Sequence, residues 1–284
     1  MAERNKGWWQ RALSAALAPE ACWTQPWFLV EAFAIVNIGF MTVDIYMAHS
    51  VNDFRRSPEY IPLFFSLIAP LILLIGLGLR SRWKAVWIDL GYLVGWGAIL
   101  VGLTGVILHL DSSFFYARTI KSLTYSAPFA APLAYTGLGF LIVLNRMVDP
   151  DSMEWAQWVL LFALGGFVGN FIFSVTDHAE NGFFYPLEWV AVWASAIAVG
   201  FLATPLLVRV SRRFISLCGA ILLAEAGVGF WGFFLHVQRN LHGPSVQLFK
   251  NFIYGAAPLA PLLFPNLMVL GMIALWRLRG FAAE

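Results

Sequence analysis

Apolar residues in this chain run in long unbroken stretches rather than in alternation. Eight stretches stand out, over residues 27–48, 60–79, 85–108, 125–144, 155–175, 185–208, 214–235 and 252–276. Each approaches or exceeds the roughly 20 mostly apolar residues that a helix needs to cross a hydrocarbon core. Barrel strands would alternate apolar and polar positions, so a barrel is excluded. The pattern predicts an all-α integral membrane protein with eight transmembrane helices, arranged as four tandem helical hairpins.

Composition agrees and narrows the class. Of 284 residues, 60% are hydrophobic and only 12% are charged, and mean hydropathy is +0.73. Soluble domains carry about 25% charged residues, so this surface is solvated by lipid. Disorder needs the opposite composition. Nucleic acid is excluded as a partner, because net charge is only +2 and no basic stripe appears. No nucleotide loop, nucleophile elbow or HExxH motif occurs, which argues against ATP-driven transport and the familiar hydrolase chemistries.

Charge in the loops orients the chain. Arg4, Lys6, Arg11, Arg80, Arg82, Lys84, Arg146, Arg209, Arg212, Arg213, Arg277 and Arg279 fall on one side, and Arg55, Arg56, Arg118, Lys121, Arg239 and Lys250 on the other. The positive-inside rule then makes both termini cytoplasmic, in a plasma or inner membrane. Residues 1–26 read as an interfacial segment with Trp8, Trp9 and Trp23 at headgroup level. They are not a secretory signal, since the apolar run 12–18 is short and broken by Ser14. Cys22 and Cys218 form no CxxC or CxxCH pair, which argues against covalent haem and zinc-thiolate sites. Both fall near the same face, where a disulfide is not expected.

The hairpins repeat. His49, His109, His178 and His236 end spans one, three, five and seven, at spacings of 60, 69 and 58 residues. Hairpins two and four share G-x-x-G-x-x-x-H, as Gly102, Gly105, His109 and Gly229, Gly232, His236. Each is followed by a proline-rich entry to the next span, YSAPFAAPLA from Tyr125 and YGAAPLAPLL from Tyr254. Hairpins one and three share N-x6-D (Asn37 with Asp44, Asn170 with Asp177) and H-x-x-N-x6-E (His49, Asn52, Glu59 and His178, Asn181, Glu188). The expected order is two pseudo-symmetric four-helix halves, 27–148 and 149–284. Even span numbers give the halves parallel topology. The prolines 128, 132, 258, 261 and 265 are expected to kink the even spans.

Four of the five histidines thus reach one polar layer at the non-cytoplasmic face. Imidazole serves as a metal or haem ligand, a proton carrier or a hydrogen-bonding group. With Asp44, Asp177, Glu59 and Glu188 nearby, the set suits a transition metal or a b-type haem in redox or electron transfer. The paired glycines allow close helix packing or admit a flat ring beside the histidine. Asn37, Asn170 and Glu225 are in-span polar residues, candidates for a substrate or ion pathway in a proton- or ion-coupled transporter. For the asparagines, interhelical packing is the simpler reading. Glu31, Asp89, Glu59 and Glu188 stand near span ends, where the simpler reading of a carboxylate is that it snorkels or hydrates. His242 reads as a solvated loop residue. A third role is that of a structural subunit beside other subunits of a membrane complex. In architecture the arrangement resembles haem A synthases, with eight spans, two halves and four histidines. It departs from them in having no E-x-x-x-H-R segment and in placing the histidines on odd spans.

Overall fold

A computed structural model describes residues 24–282. The expected interfacial segment, with Trp8, Trp9, Cys22 and Trp23, lies outside the described residues. Among the described residues the chain is helical without strands. Eleven helices follow in order: α1 Pro26–Ser50, α2 Tyr60–Leu79, α3 Lys84–Leu110, α4 Phe114–Ala117, α5 Ile120–Thr124, α6 Leu133–Met147, α7 Met153–Glu180, α8 Glu188–Leu207, α9 Arg212–Leu241, α10 Leu248–Tyr254 and α11 Leu263–Arg279. Local chemistry sets their starts. Pro26 opens α1, where its missing N–H costs nothing. The Ser152 hydroxyl accepts from the Trp155 N–H at 3.1 Å and so caps α7.

Seven of these segments are long and apolar enough to cross a membrane, and the protein is a multi-pass helical membrane protein by length and composition. The eighth expected span is the exception. Of residues 125–144, only the part within α6 is helical, and α6 has 15 residues. At 1.5 Å per residue that is about 22 Å, short of a hydrocarbon core of about 30 Å. Pro128 and Pro132 explain the loss, since neither can donate a helical hydrogen bond. The expected span 252–276 is broken in the same way, into α10, an irregular stretch, a 3-10 turn Ala260–Leu262 and α11. The prolines therefore do not kink these helices midway. They replace the first turns with irregular chain.

Helix packing follows chain order. α1 packs on α2 and α6, α2 on α3, and α3 on α6; α7 packs on α8 and α11, α8 on α9, and α9 on α11. Contacts between the two sets run from α1 to α10 and α11, and from α7 to α5 and α6. Trp155, Val159, Leu160, Ala163 and Phe167 of α7 are wholly buried, as are Val30, Ala34 and Ile38 of α1. These two helices carry the core. Asn37 of α1 accepts a short hydrogen bond from Asn266 of α11 and donates to the Phe33 carbonyl at 2.8 Å, so it ties the two sets together.

The glycines of α3 and α9 serve close packing. A Cβ at Gly102 would come within 2.2 Å of Thr136 Oγ1 and 2.8 Å of the Pro132 carbonyl oxygen, and one at Gly105 within 2.7 Å of Pro132 Cβ. At Gly229 it would meet Pro265 Cδ at 2.5 Å, and at Gly232 Pro261 Cβ at 3.0 Å. The space that the sequence left open for a flat ring is filled by the proline-rich entries.

At the end of the bundle where α1 and α3 begin, Glu31 does not hydrate. It forms a two-pronged ion pair with Arg146, at 2.6 and 2.7 Å, with both side chains fully buried. Asn145 Nδ2 adds a third contact to Glu31 at 3.3 Å. Arg146 lies over the Trp87 ring at 4.6 Å and Arg80 over the Trp27 ring at 3.6 Å. A Cβ at Gly91 would stand 1.6 Å from Arg146 Nε, so α3 must be glycine there for the guanidinium to enter.

Candidate functional site

The opposite end gathers the histidines. His49 closes α1 and His109 closes α3, and their ring centroids are 6.2 Å apart in an edge-on arrangement. Glu59, at the start of α2, places Oε2 3.9 Å from His49 Nδ1. That is too long for a hydrogen bond. Glu59 Oε1 accepts from Asn52 Nδ2 at 2.9 Å, while Oε2 is buried without a hydrogen-bond partner. His109 Nδ1 is 2.9 Å from the Pro128 carbonyl oxygen. A backbone acceptor there assigns the proton to Nδ1 and leaves Nε2 with a free lone pair.

α7, α8 and α9 present a second set. His178 Nδ1 lies 4.0 Å from Glu188 Oε2, which is also buried and unpartnered. His236 Nδ1 lies 2.7 Å from the Ala257 carbonyl oxygen, so its Nε2 is also free. His178 and His236 are within electrostatic reach of each other, as are His49 and His109. His49 of α1 and His109 of α3 thus meet ring to ring, while His178 of α7 and His236 of α9 stand within electrostatic reach.

A sharp loop follows the first histidine of each pair. Asp53 and Phe54 take φ of 55° and 51°, and Gly182 and Phe183 take 66° and 51°. A left-handed phenylalanine is strained, at about 1–3 kcal/mol. The Phe54 N–H donates to the His49 carbonyl at 3.2 Å and the Phe183 N–H to that of His178 at 3.0 Å. Each Phe ring then stands beside its histidine, at 5.7 and 6.1 Å, and stacks on the next aromatic: Phe54 on Tyr60 at 4.9 Å, Phe183 on Trp189 at 4.0 Å. The two phenylalanines were readable in the sequence, since both fall five residues after their histidine, yet aromatic residues are too common here to mark themselves. The signal was the extended repeat H-x-x-N-x-F-x4-E.

The remaining candidates are more scattered. Asp44 and Asp177 stand at exposed positions of α1 and α7. Asn170 is buried with an unpartnered Nδ2, and Glu225 is buried with an unpartnered Oε2. Asn240 had no sequence signal. It accepts from the Ala256 N–H at 2.9 Å and donates to the Ala256 carbonyl at 2.8 Å, so it holds the entry whose next carbonyl meets His236. His242 stays at the end of α9, bonded to the Gln238 carbonyl at 2.9 Å.

Among the described residues no three His, Cys, Asp or Glu side chains stand together at metal-ligating separations. The pairs that do approach are His49 with Glu59 at 3.9 Å and His178 with Glu188 at 4.0 Å. No protein-family model matches the chain, and neither a curated protein nor a solved structure matches it.

Proposed function

We propose that the chain is an eight-span membrane protein of two pseudo-symmetric halves, each binding one transition-metal ion between two histidines and a glutamate for redox or electron-transfer chemistry. The first site is His49, His109 and Glu59, and the second is His178, His236 and Glu188. One observation carries the reading: in both sets a buried glutamate oxygen without a partner faces a histidine nitrogen at 3.9–4.0 Å. A buried acceptor is normally satisfied. Two ligands on a tetrahedral metal with bonds of about 2.0–2.2 Å stand about 3.3–3.6 Å apart, so each gap closes by roughly half an ångström on binding in this reading. The second histidine of each pair has its tautomer set by a backbone carbonyl, the support that metal-binding imidazoles use.

Two imidazoles and one carboxylate suit iron, copper, zinc or manganese. The filled space beside Gly102 and Gly229 supports a bare ion over a haem. The parallel packing orders of α1–α2–α3–α6 and α7–α8–α9–α11 support the pseudo-symmetry. Irregular chain before α6 completes the fourth crossing in this reading. Backbone without helix is tolerated at membrane depth where its polar groups are met by protein, and His109 meets one of them. The loop charges support sites at the non-cytoplasmic face and both termini in the cytoplasm. Hydrogen bonding of Asn37 to Asn266 favours packing over a solute path at that position.

Metal analysis of the detergent-purified chain, as isolated and after reconstitution with Fe(II), Cu, Zn and Mn, tests the reading. One ion per half is expected, with one lost in His109→Ala and the other in His236→Ala. Failure of every metal to bind stoichiometrically overturns it.

A further inference from the structure

α8 and α9 part along their outer flank. A groove of about 510 Å³ opens there, lined by Trp189, Trp193 and Ile197 of α8 and by Ile221, Glu225 and Val228 of α9. It is apolar except at Glu225. That residue is 4% exposed, and its Oε2 has no hydrogen-bond partner. Glu225 is near the middle of the 30-residue α9, far from either end of the span. An ionisable group at that depth is costly to bury and is retained for a partner. The two indoles are open on the flank, Trp193 at 65% and Trp189 at 44% exposure. Anything entering the groove arrives through lipid.

We propose that this groove binds a lipid-soluble quinone or quinol, with the ring against Trp189 and Trp193 and a ring oxygen at Glu225. Flat indole faces select a flat ring. The orphan carboxyl group selects a ligand with a polar atom at the ring edge: as a carboxylate it accepts from a quinol hydroxyl, and as a carboxylic acid it donates to a quinone carbonyl, and a buried polar group left unmet is unfavourable. An acyl chain fills the space but leaves that oxygen unmet. A fatty acid or anionic headgroup would place a second carboxylate or phosphate against the first. The groove is linked to the second histidine set through one ring, because Trp189 stacks on Phe183 at 4.0 Å and Phe183 lies 6.1 Å from His178. Only the link to His178 rests on the metal reading; the binding site rests on the groove and Glu225.

The test is titration of the full-length detergent-solubilised chain with a decyl-chain benzoquinone and its quinol, read by quenching of tryptophan fluorescence. It is run on metal-reconstituted and chelator-treated protein alike. Saturable quenching is expected in both. Glu225→Leu should weaken binding about tenfold or more, the worth of a lost charge-assisted hydrogen bond. Trp193→Phe keeps an aromatic wall and should lower the quenching amplitude. Glu225→Gln preserves shape and a hydrogen-bonding group, and serves if the leucine variant does not fold; it should weaken binding measurably. Non-saturable quenching, binding unchanged in both Glu225 variants, or displacement by a saturated phospholipid at equal concentration overturns the proposal. Saturable binding to a protein that takes up no metal would keep this site and sink the metal reading; metal uptake without quinone binding would do the reverse.

Discussion

The bundle holds a carboxylate near each end, and the two are treated differently. At one end Glu31 meets Arg146 through both oxygens, with Asn145 beside it and tryptophan faces around the cations. At the other, Glu59 has one oxygen held by Asn52 and the other facing His49 across 3.9 Å with no bond. With both Glu31 oxygens met the pair makes a lock, which joins α1 to α6, while Arg146 Nε and Asn145 Oδ1 beside it stay without partners. An open set, held rigid on one side and empty on the other, makes a place for something else to bind. Charge and burial alone do not distinguish the two cases; the count of satisfied oxygens does.

Breaking the lock should have the largest effect. Arg146→Met leaves Glu31 buried and unpaired, and should cost about 3–5 kcal/mol in thermal unfolding. The double change Glu31→Leu with Arg146→Met should recover much of that loss, because an apolar pair needs no desolvation. A single variant as stable as the parent would remove the distinction between the two ends.

Next comes the open end. Glu59→Ala should abolish metal uptake in the first half while changing stability by only about 1 kcal/mol, since one of its oxygens has no partner to lose. Metal analysis and a melting curve on one sample decide this. A large fall in melting temperature with metal retained would make Glu59 a second lock. Metal held by either set should also be released as pH falls, because protons compete for the same imidazole nitrogens.

Asn52→Ala should act more mildly, through Glu59. Freeing Oε1 lets the carboxylate rotate, and metal affinity should fall by about 10–100-fold with the stoichiometry intact at saturating metal. An unchanged affinity would show that Asn52 only closes the loop. The smallest effect separates the two loops from each other. Asp53 sits at a φ of 55° where the second loop has Gly182 at 66°. Asp53→Gly removes that strain and should raise stability by about 1 kcal/mol without touching metal binding. A fall in melting temperature would mean that the aspartate side chain supports the loop.

How much of this was legible beforehand depends on the distance over which each feature is set. Helical class follows from apolar runs, and seven of the eight stretches contain helices long and apolar enough to span in the structure. The fourth is short because two prolines remove donors from its first turns, a local fact whose consequence for length had to be seen. Glu31 was misread as a hydrating end group: its partner is 115 residues away, and nothing in the neighbourhood of either residue announces the other. The histidines, Asn52, Glu59 and Glu188 were found through repetition, and Phe54 and Phe183 belong to the same repeat.

By itself the sequence determined a lipid-solvated helical bundle and the polar residues that recur along it. These rest on local composition, because a long apolar segment in lipid must satisfy its backbone within its own helix. Only the tertiary structure decided which histidine stands beside which, and which carboxylates are satisfied. It also decided that the glycine faces take the proline-rich chain instead of a ring. Those outcomes turn on a few ångströms between helices far apart in the chain, and side-chain reach across such gaps is set by packing.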